Sequence, residues 1–126
     1  LHHPDRRVVC LTGDGGLMMV AAELETGARL RLPLVIVVFD DQALSLIEVK
    51  QEQRGLAGAS MRYVGPDFPA LARAFGIRAW IAEDEESFRN ALVAAQATAA
   101  PALIDARIDP SGYRRTLEIV RGAPAR

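Results

Sequence analysis

One cysteine stands in the whole chain of 126 residues, Cys10. A lone cysteine excludes an internal disulfide framework and a cysteine-based zinc site. Flanked by Val8, Val9 and Leu11, it reads as a buried thiol in a strand rather than a reactive one. An excess of either charge is also lacking: 15 basic and 16 acidic residues leave a formal net charge of -1. There is no basic surplus to neutralise nucleic-acid phosphates. Long hydrophobic runs are absent, since the longest, Leu32 to Phe39, falls far short of the ~20 residues of a membrane span. No signal-peptide pattern is legible at Leu1-His2-His3-Pro4, which points to a cytoplasmic setting. Internal repeats, low-complexity tracts and an interdomain linker are missing as well.

What is present is the balance of a globular protein, with 50% hydrophobic and 25% charged residues. The length fits one domain over residues 1–126. The chain opens on Leu1, and no strand or helix precedes its first strong motif. It therefore reads as part of something longer, with an N-terminal portion of the fold absent. A sheet without that portion is expected to expose an edge and apolar faces, inviting association.

The apolar pattern predicts strands at Arg7 to Thr12, Leu34 to Phe39, Ile77 to Ala82 and Pro101 to Ile108. Between them, helical spacing appears in Leu17 to about Leu30, Ala43 to about Gln53, Asp67 to Phe75 and Glu85 to Ala99. A last helix or helical turn runs from Pro110 to Val120. Asp67 is the expected N-cap of its helix and Gly76 its C-terminal stop. The acidic run Glu83 to Glu86 suits a helix N-terminus. Arg54 to Pro66, rich in glycine, is too long for an ordinary connection and reads as a mobile or ligand-covering loop. Met18, Met19, Phe75 and Phe88 read as core, and Trp80 as packed under a helix. His2 and His3 fit a helix terminus better than a ligand site, and for Tyr63 and Tyr113 an interface role stays open. Strands apolar on both faces, alternating with helices, predict an α/β fold: three layers, a parallel sheet with helices on both faces.

Ligands of such sheets gather beyond the carboxyl ends of the strands. Two segments fall there: Gly13-Asp14-Gly15-Gly16 after the first strand and Asp40-Asp41 after the second. The glycines allow close approach of backbone to phosphate, and a helix start offers free N–H groups. Asp14 conflicts with a bare anion. A divalent cation removes the conflict, because Mg²⁺ takes carboxylate and phosphate oxygens together. Asp41 is placed to supply a second carboxylate. Two other readings compete. Gly-Asp-Gly is a common turn, and Asp40-Asp41 fits a strand stop with a helix cap. Gly13 to Met18 is also close to the dinucleotide fingerprint, with Asp40 on a ribose. Against that, Met18 stands in place of the third glycine, and Asp14 puts an uncompensated charge beside the pyrophosphate.

Gly13-Asp14-Gly15, 24 intervening residues, then Asp40-Asp41 resembles the paired motif of thiamine diphosphate enzymes of the acetolactate synthase and 2-oxo acid decarboxylase type, in their C-terminal diphosphate-binding domain. The surrounding segments match too: Arg6 to Thr12, Leu32 to Val38, Asp67 to Gly76 and Pro101 to Ala106. The resemblance implies thiamine diphosphate and Mg²⁺ as cofactors. It implies metal ligation by Asp14, by Asp41 and by the carbonyl of Ala43. Gly13, Gly15 and Gly16 would lie against the diphosphate, with Gly15 and Gly16 giving N–H groups. Leu46 and Ile47 would line the space near the thiazolium ring.

The resemblance also implies the reaction of the longer enzyme, in the lyase or transferase class. A 2-oxo acid is decarboxylated, and the resulting enamine is protonated or ligated to a carbonyl acceptor, with the cofactor as electron sink. The activating glutamate would come from a pyrimidine-binding domain of a partner subunit in a homo-oligomer. No residue of this chain is then itself catalytic, and the chain alone would be inactive. Two departures stand out. Asp40-Asp41 replaces a pair that usually begins with Asn and usually offers Asn as ligand, adding negative charge. Lys50 stands where acetolactate synthases usually carry a substrate-selecting Trp. Two rivals remain: a non-catalytic module that keeps the fold, and a nicotinamide dinucleotide-binding domain.

Overall fold

A computed structural model describes residues 6–56 and 61–121. The chain runs β1 (Val8–Gly13), α1 (Asp14–Met19), α2 (Glu23–Arg29), β2 (Leu34–Asp40), α3 (Ser45–Gln53), α4 (Phe68–Ala74), β3 (Arg78–Ala82), α5 (Glu85–Gln96), β4 (Ala102–Arg107), a 3₁₀ turn (Pro110–Gly112) and α6 (Tyr113–Arg121). The four strands form one sheet in the order β1-β2-β4-β3, and every pairing is parallel. Val8 faces Leu34, and both Val35 and Arg78 face Ala102 in register.

Alternation along the strands builds the layers. Successive side chains of a strand point to opposite faces. Ile36, Val38 and Leu103 therefore join Leu17 of α1, Leu24 of α2, and Phe68 and Ala72 of α4 in one core. Val35, Val37, Ile104 and Ala106 join Ala91 and Ala95 of α5 in the other, with Trp80 and Phe88 packed against it. Helices thus cover both faces of a parallel sheet, and the expected three-layer α/β architecture is present. Asp67 caps α4 by accepting from the Ala70 N–H at 2.7 Å, and Gly76 takes the positive φ of 74° that ends it. Asp84 and Ser87 form a capping box at the start of α5.

Four expectations need correction. The helix read over Leu17 to Leu30 is two helices, separated at Val20, where φ is -130°. Leu17 and Leu24 stay in one core across the break, so the apolar spacing carries no trace of it. The second helix begins at Ser45 rather than Ala43, because the stretch from Asp41 to Leu44 is a turn with Gln42 at φ 55°. Met18 and Met19 are exposed rather than core, on the side of α1 turned away from Leu17. Cys10 is exposed rather than buried, because β1 is an edge strand among the described residues. Val8, Val9 and Leu11 around it are exposed too. His2 and His3, and part of the glycine-rich loop, lie outside the described residues. No described helix is long and apolar enough to cross a membrane.

The exposed thiol gives a direct check. Cys10 should react with a thiol-specific chromogenic reagent in the native chain as fast as in the denatured one. Protection until denaturation would mean that β1 is covered in solution.

Candidate functional site

β1 and β2 are adjacent, and Gly13 pairs with Phe39 at their carboxyl ends. The next residues of each strand therefore leave the sheet side by side. Asp14 opens α1 directly and is buried, 4% exposed. Its Oδ1 accepts the Gly15 N–H at 2.7 Å, while its buried Oδ2 has no hydrogen-bond partner among the described residues. Across the gap, Asp40 and Asp41 turn in different directions. The Asp40 carboxylate accepts the Gln42 N–H at 3.1 Å and is paired with Arg107 at 2.8 Å, so it belongs to the interior. Asp41 Oδ1 accepts the Ala43 N–H at 3.2 Å, and its buried Oδ2 is again left without a partner. The turn from Asp41 to Leu44 thus presents the second aspartate, not the first.

A cavity of about 180 Å³ lies between these segments. Gly13, Asp14, Gly16, Asp41, Ala43, Leu46 and Ile47 line it. The residues singled out from sequence therefore converge on one place, with Gly15 directly behind. Gly15 and Gly16 have steric reasons to lack a side chain. A Cβ at Gly15 would stand 2.8 Å from Leu44 Cδ2 and 3.4 Å from the Tyr63 hydroxyl, and one at Gly16 2.7 Å from Thr12 Oγ1. Lys50 is exposed on α3 and is not part of the cavity wall.

Three residues of this site had no motif to announce them. Ser45, the first residue of α3, is 5% exposed, lines the cavity, and has a buried hydroxyl with no hydrogen-bond partner among the described residues. Tyr113 reaches the cavity from α6. Tyr63 approaches through an isolated antiparallel bridge between Ala43 and Arg62, closed by Leu44 N–H to Met61 O at 2.8 Å and Tyr63 N–H to Gln42 O at 3.0 Å. Burial, then the neighbouring Asp14, push the Tyr63 phenol up to about 12. Burial, then Asp41 and Asp14, also raise Tyr113. Near neutral pH both phenols keep their proton and serve as donors.

The donor set fits a hard cation. Two carboxylate oxygens, on Asp14 and Asp41, are buried without partners among the described residues, and both residues line one cavity with Ala43. Oxygen-only ligation that leaves positions to water and phosphate is the habit of Mg²⁺. Among the described residues no three His, Cys, Asp or Glu side chains cluster as a self-sufficient metal site. Such a cation would need a main-chain oxygen and the ligand itself to complete its shell.

Comparison with known proteins identifies the family. Residues 1–106 match the family model described as thiamine pyrophosphate enzyme, C-terminal TPP binding domain, where TPP is thiamine diphosphate. A probable acetolactate synthase large subunit of Methanococcus aeolicus is 40% identical over 110 residues, covering 86% of this chain and 18% of that protein. A catabolic acetolactate synthase of Raoultella terrigena is 28% identical over 109 residues, covering 86% and 20%. Among solved structures, a thiamine diphosphate-dependent 4-hydroxybenzoylformate decarboxylase of Rhodococcus jostii RHA1 superposes with a TM-score of 0.77 at 28% identity, over 86% of this chain and 21% of that one. The chain thus spans about a fifth of the length of the relatives it matches. With its parallel sheet and its paired strand-end aspartates, the chain belongs to the thiamine pyrophosphate enzyme family, as a C-terminal TPP-binding domain.

Proposed function

We propose that this chain grips the diphosphate end of thiamine diphosphate through Mg²⁺, as part of a longer enzyme that decarboxylates a 2-oxo acid or ligates the product to a carbonyl acceptor. The observation that carries the reading is the pair of buried carboxylate oxygens on Asp14 and Asp41 without partners among the described residues, on two residues that line one cavity at adjacent strand ends. Leaving such atoms unsatisfied costs stability unless a ligand completes them. Asp14, Asp41 and the Ala43 carbonyl would hold the cation. The N–H of Gly16 and the uncapped start of α3, with the free Ser45 hydroxyl, would receive phosphate oxygens. Leu46 and Ile47 would face the thiazolium end. When bound, the cofactor supplies the electron sink for breaking or making a bond next to a carbonyl.

The cavity itself limits what the chain does alone. About 180 Å³ is well under the ~300 Å³ at which pockets for drug-sized ligands begin. That is room for a diphosphate, not for the whole cofactor. The remaining walls would come from a pyrimidine-binding domain of a partner subunit, and the chain alone would be inactive. The apolar side chains exposed along β1 favour a neighbour on that edge. The dinucleotide reading loses its ribose holder, because Asp40 is buried and committed to Arg107.

Titration calorimetry with thiamine diphosphate tests the reading. Binding should appear in Mg²⁺ and vanish in EDTA. Heats that persist unchanged in EDTA would refute the metal assignment, and a dinucleotide bound in place of thiamine diphosphate would refute the cofactor.

A further inference from the structure

We propose that Arg107 is a positioning residue of the cation site: it pins Asp40, and through Asp40 the turn that presents Asp41 and Ala43 to the cavity. The inference rests on the reading of Asp41 and Ala43 as cation ligands. Arg107 lies outside the paired motif and is not part of the cavity wall. It closes β4 as the register partner of Asp40, the last residue of β2. Asp105 precedes it by two positions on the same strand, so all three side chains share one face of the sheet. The guanidinium stands 2.8 Å from Asp40 Oδ2 and 2.8 Å from Asp105 Oδ2. Both are charge contacts rather than aligned hydrogen bonds. A planar fork reaches two carboxylates at once, which a lysine ammonium does not.

Asp40 passes this restraint on. Its main-chain carbonyl accepts the Ile108 N–H at 3.0 Å, next to Arg107, and its Oδ1 accepts the Gln42 N–H at 3.1 Å. Gln42 takes a φ of 55°, a conformation that a residue with a side chain keeps only when its surroundings hold it there. That residue reverses the chain, and Ala43 N–H then meets Asp41 Oδ1 at 3.2 Å. Asp41 Oδ2 is the oxygen left over, buried and without a partner among the described residues. Each contact depends on the one before it, and the series starts at Arg107. An arginine that only neutralised Asp40 could be exchanged together with it for a neutral pair at no loss to the site. An arginine that aims the turn could not.

Two measurements decide it, on the wild type, Asp105→Asn, and a variant joining Asp105→Asn with Asp40→Asn and Arg107→Met. The combined variant removes every charge of the group together, so no buried ion is left unpaired and the fold should keep its stability. Its net charge equals that of Asp105→Asn, so these two differ only in the Asp40–Arg107 pair. Asp40→Asn keeps an oxygen for the Gln42 N–H. Mg²⁺ is titrated into each protein with excess thiamine diphosphate. The half-saturating concentration should hold in Asp105→Asn and rise about tenfold in the combined variant, the lower end for groups that orient a metal ligand from behind. In EDTA and without cofactor, amide hydrogen exchange at Gln42 and Ala43 should be faster in the combined variant than in Asp105→Asn by a similar factor. Equal Mg²⁺ requirements, or equal exchange, would mean that Arg107 only neutralises buried charge, and would overturn the proposal. A wild-type chain that binds no cofactor would instead count against the reading of the site, and exchange would still decide whether Arg107 holds the turn.

Discussion

Asp14→Asn should remove Mg²⁺-dependent binding of thiamine diphosphate and, in the same chain, raise the stability of the apo form. The two halves have one cause. Asp14 is 4% exposed, and its Oδ2 finds no hydrogen-bond partner among the described residues. Asp41 adds a second such oxygen across the same cavity. A buried anionic oxygen without a partner is a cost to the folded state, on the order of 1–3 kcal/mol or more. Asparagine keeps the shape and an oxygen for the Gly15 N–H, and it removes the charge. A residue kept for packing would lose stability on replacement. One kept for a cation should gain stability and lose the ligand. Loss of a charged ligand from a site with two side-chain donors should weaken cofactor binding by at least about a hundredfold, on the scale of removing one partner of a buried charge interaction. Asp41→Asn is the informative contrast. It restores the residue that the paired motif it resembles usually offers as ligand at this position and removes one negative charge next to the diphosphate, so binding should survive. Calorimetry for affinity and denaturant unfolding for stability read both variants. If Asp14→Asn binds as tightly as the wild type, Asp14 is not the metal ligand.

The architecture and the position of the site were legible in the sequence for a physical reason. Buried parallel strands read as unbroken apolar runs, and Val35 to Val38 and Ala102 to Ile104 do so because both faces are covered. The cavity follows, since residues just beyond two adjacent strand ends must lie close together. Other features left no local signal. Val8, Val9 and Leu11 look like a core strand, but β1 is an edge, and edge position depends on strand order. Cys10 and the two methionines after Leu17 fail the same way. Asp40 and Asp41 are indistinguishable as letters, and only the turn at Gln42 with the pull of Arg107 separates their roles. Tyr63 and Tyr113 join the site through contacts between segments remote in the chain, which no spacing encodes.

Asp105 should make the chain less stable as pH rises from about 4 to about 6. Asp105 and Asp40 are both fully buried, and one guanidinium serves both, with Arg107 Nη2 at 2.8 Å from Asp105 Oδ2 and Nη1 at 2.8 Å from Asp40 Oδ2. One cation cannot neutralise two buried anions. Burial raises Asp105 from 3.8 to about 6, against the pull of Arg107 and with the help of Asp40. The folded state then holds a proton that the unfolded state has released between these values. Stability falls with rising pH wherever the folded state binds more protons, so the loss starts near 4 and is complete above 6. A rise of about two units corresponds to a penalty on the order of 3 kcal/mol at pH 7. Other carboxylates titrate in the same window, so the quantity to measure is the difference between the wild type and Asp105→Asn. Denaturant unfolding from pH 4 to 8 should give similar stabilities at the acid end and a variant more stable at pH 7. Arg107→Met should do the opposite. It leaves two buried carboxylates unpaired and should cost about 3–5 kcal/mol at pH 7, less at pH 4, where Asp105 is protonated. The same substitution would free Asp40, whose Oδ1 accepts from Gln42 and whose carbonyl accepts from Ile108. The Asp41 turn depends on that anchor, so cofactor affinity should fall together with stability in Arg107→Met but hold in Asp105→Asn. If the two stability curves run parallel at every pH, Asp105 stays ionised throughout and Arg107 satisfies both carboxylates at once.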